Sequence, residues 1–413
     1  MAYWKVLVCF LTVTSVLMSA GYTMLIPFLP MYLIEELGVS TAEVNIWSGI
    51  IFSSTFLISA IMAPIWGALA DKKSHKAMAV RASVCLAIGY VWGGFVSTPW
   101  ELFAMRCFQG FSAGLWPACL AIMTSTAPRE KMGSCLGIMQ GGMTAGGVLG
   151  PLFGGVLAEV FGMRMSFFVA AGALSIISLG LIFFVKDSAQ PRPKASEQKR
   201  GGSFALLKVP VIARMLFAAG VVQLAVMLVQ PVLPLYIAEL QGSMDNIVLV
   251  SGVVFSVVGI SGVIASPIWG RMGTNIGFRW ALYVALLGGG IFGVVQAIPG
   301  EITPFVIWRF VGGIFFAGIF PAINALLAEN TLPSERGRVY GLSYAAQQVG
   351  SVAGPILGGL IATYSSNAIV VMAHGVVMIL LVIFMYLKRP KDVDPGNGMA
   401  INAEAFASDD KDH

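Results

Sequence analysis

The sequence predicts an all-α integral membrane protein with twelve transmembrane helices, arranged as two six-helix parallel repeats. Composition is the first reason: apolar residues make up 57% of the 413 and charged residues 11%, with a mean hydropathy of +0.84. That is far from the balance of an ordinary soluble domain. Apolar stretches of about 20 residues, the length a helix needs to cross the hydrocarbon core, recur between short polar breaks. The chain also matches itself. Ile26-Pro27-Phe28-Leu29-Pro30-Met31-Tyr32 returns as Gln230-Pro231-Val232-Leu233-Pro234-Leu235-Tyr236, and Pro64-Ile65-Trp66-Gly67 as Pro267-Ile268-Trp269-Gly270. Gly150-Pro151 with Gly154-Gly155 returns as Gly354-Pro355 with Gly358-Gly359.

Taken in order, spans are expected at 6–33, 45–67, 78–97, 100–122, 134–158 and 164–185, then at 211–235, 247–270, 280–298, 303–327, 339–362 and 368–387. Lys5 precedes the first, but its apolar run is long and lacks a small-residue cleavage site, so it reads as a retained helix. The halves cover 1–185 and 211–388. Between them, 186–210 holds Pro191-Arg192-Pro193-Lys194 and Lys199-Arg200-Gly201-Gly202, a basic, turn-rich stretch that reads as a cytoplasmic linker. The tail, 389–413, is polar, and disorder is expected there. Six spans per half return equivalent points to the same side and relate the halves by an axis along the membrane normal. Repeats of that kind build secondary transporters with the site between the halves.

Charge sets the orientation. With the N-terminus in the cytoplasm, the 25 Lys and Arg fall on the inner side except Arg106 and Arg309, which lie within spans, and Arg164 at the outer edge. By the positive-inside rule both termini are cytoplasmic and the protein belongs in the inner cell membrane. The net charge of +5 therefore reflects orientation, and nucleic acid is not an expected partner. The five cysteines (Cys9, Cys85, Cys107, Cys119 and Cys135) sit in or beside N-half spans without metal-ligand spacing, and read as buried packing residues. No nucleotide-binding loop, catalytic triad or metal cluster appears, which argues against an enzyme and against a bound cofactor.

After the second span comes Gly67-Ala68-Leu69-Ala70-Asp71-Lys72-Lys73-Ser74-His75-Lys76. This closely resembles the Gly-x-Leu-x-Asp-Arg-x-Gly-Arg-Arg signature of the major facilitator superfamily, departing at Ser74 and His75. The C-half copy, Gly270 to Arg279, has Thr274 in place of the acid. The resemblance implies that the loop latches the cytoplasmic side. Asp71, near the start of the third helix, is expected to satisfy backbone donors there. Arg106-Cys107-Phe108-Gln109-Gly110 resembles the family's fourth-helix Arg-x-x-Gln-Gly motif, which is linked to proton coupling; Arg309 is its repeat mate. An arginine within a span costs at least about 2.5–3.5 kcal/mol, so it is placed against a polar cavity or partner unless it snorkels to the interface. Gly146, Gly150, Pro151, Gly154 and Gly155 resemble the antiporter motif of drug/proton exporters. Small residues at this spacing also serve plain helix packing, and Gly350 to Gly359, with Gly354 and Pro355, copies them. The resemblance spans essentially the whole chain, and within the superfamily it is greatest to the twelve-helix drug/proton antiporter branch.

No acidic residue falls deep in a span. Glu35 and Glu36, with Glu239 as repeat mate, titrate only if buried near Arg106, and otherwise are solvated helix-end charges. Where many exporters carry an acid in the first helix, this chain has Ser19-Ala20-Gly21-Tyr22-Thr23. The cavity is therefore expected to be lined by neutral groups: Tyr22, Trp116, Gln140, Gln223, Gln230, Phe320, Asn324, Tyr344, Gln347 and Gln348, each either a ligand contact or helix glue. His374 lies in the last helix, expected to be peripheral. The resulting expectation is a monomeric, proton-coupled exporter of small amphipathic molecules working by alternating access, with protons and a small-molecule substrate as its partners in the bilayer. The alternative is a dedicated carrier of one metabolite, such as a siderophore or sugar exporter, or an importer.

Overall fold

The computed structural model describes residues 3–72, 74–128, 130–186, 205–332 and 335–388, and no strand occurs among them. The side chains of Asp71 and Lys72 lie outside the described part, as do most of the expected linker (187–204) and the expected tail (389–413). Twelve rods run back and forth. Eight are single helices: Val44–Lys72, His75–Phe95, Met132–Phe161, Met163–Phe184, Ile247–Ile276, Phe278–Val295, Arg336–Tyr364 and Asn367–Leu387. Four are broken. The first joins Tyr3–Thr23 to Leu29–Glu35, the fourth Pro99–Phe111 to Leu115–Thr126, the seventh Pro210–Val229 to Leu233–Gln241, and the tenth Ile302–Phe316 to Ile319–Glu329. Each break precedes or contains a proline (Pro27, Pro117, Pro231, Pro321), which has no amide hydrogen to continue the ladder.

Helix starts follow local chemistry. Thr98 caps the fourth span by accepting from the Glu101 amide at 3.2 Å, while Glu101 accepts from the Ser97 amide at 2.8 Å. Ser366 caps the twelfth by accepting from the Ile369 amide. Ser74 caps the third, accepting from the Ala77 amide at 3.0 Å. The cap expected of Asp71 therefore belongs to Ser74, because the second span continues through Asp71 and ends only at Lys72.

Eleven of the rods are long and apolar enough to cross a membrane. The eleventh, Arg336–Tyr364, has the length but is too polar, because Ser343, Tyr344, Gln347, Gln348 and Ser351 interrupt it. Each half packs alike: span one on five, two on four and three on six, repeated as seven on eleven, eight on ten and nine on twelve. Matching bonds mark the repeat. Tyr32 donates to the Gly93 carbonyl and Tyr236 to that of Gln296. Trp66 donates to the Phe111 carbonyl and Trp269 to that of Ile314. The cysteines are free, and Cys119 and Cys135 are buried as expected, but Cys9 is exposed, because it lies on a face of the first helix that turns away from the bundle.

Candidate functional site

The halves meet through spans five and eight and through spans two and eleven. These two contacts are copies of one another. Ser256 donates to the Val148 carbonyl at 2.6 Å, and Ser53 to that of Val352 at 2.7 Å. Gly252 lies against the Pro151 carbonyl and Gly49 against that of Pro355, so closely that a Cβ at either glycine would collide. Gly359 faces the Asn45 carbonyl, and Gly155 approaches Val248 and Leu249. All of these contacts fall toward the end opposite the basic loops. Buried Leu228, Val229, Leu233, Val248 and Val254 join the N-half core there in one cluster. Toward the basic loops the same four spans stand clear: a Cβ would meet open space at Gly67, Gly137, Gly141, Gly270, Gly337 and Gly341. The molecule is sealed at one end and open at the other.

The glycine stripe divides its faces between two tasks. Gly146, Gly150 and Gly154 sit against the backbone of Val16, Ala20 and Met24 in the first span, and Gly350, Gly354 and Gly358 against Gly220, Leu224 and Leu228 in the seventh. Gly155 and Pro151 instead serve the joint between halves. Pro151 and Pro355 leave their helices unbroken and contribute carbonyls to that joint.

Two arginines lie within the halves, Arg106 buried and Arg309 half-buried. Arg106 is 3% exposed, and its Nη1 donates to Gln109 Oε1 at 3.1 Å. Its Nε and Nη2 have no partner, nor does Gln109 Nε2. The guanidinium lies 5.9 Å from the Phe52 ring and within electrostatic reach of Tyr22 and Tyr90. Arg309 repeats the pair with a different amide, because Gly312 stands where Gln109 would recur. Gln296, from the ninth span, fills that space, accepting from Arg309 Nη1 at 3.2 Å. Sequence reasoning missed Gln296; the missing glutamine after Arg309 was the available signal.

A cavity of about 250 Å³ opens beside Arg309, lined by Gln230, Gln296, His374 and, from the N-half, Thr23 and Pro151. His374, expected to be peripheral, thus faces the cavity, its Nδ1 donating to the Ala225 carbonyl at 2.8 Å. Of the neutral candidates Gln230 lines this cavity. Tyr22 and Tyr344 come within electrostatic reach of each other from opposite halves. Phe320 packs edge-to-face against Phe316 of the cavity wall. Gln223 donates to Ser351 at 3.0 Å and Gln347 to Ser343, as helix glue does. Gln140 and Asn324 are exposed, and Trp116 and Gln348 are half-buried. The outer acids lie elsewhere: Glu36 pairs with Arg164 at 2.8 Å, and Glu239 accepts from Asn367 at 2.6 Å. Glu35 is largely exposed; partial desolvation of its carboxyl, with Glu36 and Glu159 nearby, raises its pKa from the ordinary value.

The model of the Major Facilitator Superfamily matches residues 11–262 and 215–407, together almost the whole chain. The chain belongs to the Major Facilitator Superfamily. Among sequence relatives, the multidrug resistance protein MdtG of Proteus mirabilis is 35% identical over 378 residues, covering 91% of this chain and 92% of that one. The MdtG of Salmonella arizonae is 35% identical over 377 residues, covering 90% and 91%. Among solved structures, a bacterial homologue of the lysosomal transporter Spinster, inward-facing and occupied, superposes with a TM-score of 0.81 at 16% identity, covering 94% of this chain and 97% of that chain. The nucleoside transporter NupG gives 0.77 at 15% identity, covering 93% and 100%. At such low identity these two show the fold alone. As a superfamily member, the chain is a multi-pass membrane protein and a secondary transporter.

Proposed function

We propose that this chain is a proton-driven exporter of small amphipathic molecules, moving them by alternating access across the inner cell membrane, with both termini in the cytoplasm. The observation that carries the reading is the duplicated joint: two pseudo-equivalent glycine–carbonyl contacts hold one end shut while the other stands open. The relatives named for multidrug resistance supply the substrate class. In this reading Arg106 links protonation to the rocking of the halves, Asp71 latches the inner gate, and the proton gradient supplies the energy in place of a cofactor. One chain holds both halves and the cavity, so the working unit is a monomer. The basic loops favour the stated orientation.

The test is ethidium accumulation in efflux-deficient cells expressing the chain, with and without a protonophore. The expected result is low dye that returns to the vector level when the gradient collapses. Unchanged dye, with the protein confirmed in the membrane, would transfer the assignment to a dedicated carrier, a reading that the absence of an acid deep in any span favours.

A further inference from the structure

We propose that His374 of the twelfth span carries the coupling proton, on its Nε2. The inference rests on the proton-driven reading above and names the group that takes the proton up and gives it back.

A guanidinium keeps its protons at every physiological pH, so neither Arg106 nor Arg309 serves as the carrier. The carrier has to lose and regain a proton near neutral pH, in a place that water reaches from one side at a time. Among the described residues the carboxylates stand at or near helix ends or in turns, and no Asp, Glu or Cys lines the cavity between the halves. Of the three histidines, His75 opens the third span at the basic end and His413 lies outside the described residues. His374 is the one at membrane depth, and it lines the cavity opposite Thr23, Val148 and Pro151 of the N-half. Imidazole is the side chain whose ordinary charge change falls between about pH 5 and 8.

The ring is already set to receive the proton. Its Nδ1 donates to the Ala225 carbonyl of span seven at 2.8 Å, which fixes the tautomer and leaves the lone pair on Nε2. That nitrogen has no hydrogen-bond partner among the described residues. The Cδ2 edge rests on span nine, where a Cβ at Gly293 would lie 3.1 Å from it. Held on two edges, the ring gains a proton without turning. Uptake forms an N–H bond at Nε2 with a proton from water on the sealed side once that side opens. Release returns the proton to water on the side of the basic loops, and no other bond changes. Among the described residues Arg309 is the charged group within electrostatic reach of the ring. The arginines of spans seven, nine and eleven, which pack against the twelfth, stand near the starts of those helices at the basic end. Tyr344 of span eleven reaches toward Tyr22, Tyr236 donates to the Gln296 carbonyl, and Glu239 is held by Asn367. A proton on Nε2 therefore sets a second positive charge near Arg309 with no anion in the wall, and the repulsion falls as water enters between the halves. Proton occupancy is in this way tied to their rocking.

Nitrogen NMR of isotope-labelled histidine tests this in the full-length chain in nanodiscs. The protein is purified without a histidine tag and carries His75→Gln and His413→Gln, so that His374 is its one imidazole. The expected signal is an Nδ1–H tautomer at about pH 9 that gains a proton on Nε2 by about pH 4. A ring that stays neutral over that range, or that carries its single proton on Nε2, overturns the proposal. A second arm compares the wild-type chain with His374→Gln in proteoliposomes, reading ethidium movement driven by an imposed pH gradient and downhill ethidium exchange without one. His374→Gln is expected to lose gradient-driven movement by at least about tenfold and to keep downhill exchange within about twofold. Gradient-driven movement at the wild-type level, or loss of both movements in a monodisperse variant, overturns the proposal. The titration needs no substitution at His374 and decides the matter even if that variant fails to fold. Wild-type ethidium movement that ignores the pH gradient, beside a His374 signal that titrates, defeats the proton-driven reading and leaves the proton site standing.

Discussion

At the residue scale, the proposed mechanism rests most on the arginine of the fourth span. Its motif was legible because a charge at that depth is rare, and the structure adds that Gln109 is the one hydrogen-bond partner of its side chain among the described residues. Arg106→Ala is expected to abolish proton-dependent dye efflux in inside-out vesicles while the protein still reaches the membrane; intact efflux would remove Arg106 from the coupling step. Ser74→Ala should lower thermal stability by about 1 kcal/mol, the usual worth of an N-cap, measured by melting in detergent. Glu35 provides a pH-dependent test. Its raised carboxyl pKa means that the folded state holds the proton to higher pH than the unfolded chain. Stability from this group is therefore full below the unfolded value and lost as pH rises through the folded one. Glu35→Gln should raise the melting temperature at pH 7.5 and leave it unchanged at about pH 3.3, one pH unit below the ordinary carboxyl value. A variant that melts like wild type at both would show that Glu35 is fully solvated.

At the element scale, apolar run length and repeated turn residues made the twelve rods readable, because lipid demands both. The breaks in the first, fourth, seventh and tenth spans were not read, although Pro27, Pro117, Pro231 and Pro321 were in view; a proline within an apolar run is compatible with either a kink or a full interruption. The amide beside Arg309 was hidden for a different reason. It arrives from the ninth span, and only tertiary packing brings Gln296 into the space over Gly312. The glycine stripe was legible as close packing, but its division between the first span and the opposite half depends on which way each face turns. Gly252→Val should overpack the joint against the Pro151 carbonyl at a cost of about 1–3 kcal/mol to the sealed state. Thiol labelling of a cysteine introduced at Asn45, in a cysteine-free background, should then rise relative to the parent; unchanged labelling would mean that the joint has room to spare.

At the scale of the whole molecule, internal duplication accounts for more than any single motif. Each half packs by the same pairing, and the halves touch through the same contact made twice. A joint built from two pseudo-equivalent contacts gives rigid halves an axis to rock about, and the apolar seal over a space open to the basic loops is one end of that motion. If alternating access about this joint is the mechanism, then tying the joint shut must stop transport. The direct measurement is efflux by the double variant S53C/V352C, in a cysteine-free background, before and after a short bis-thiosulfonate crosslinker and again after reduction. The result expected is efflux that is lost on crosslinking and restored on reduction. Undiminished efflux from fully crosslinked protein would contradict alternating access about this joint.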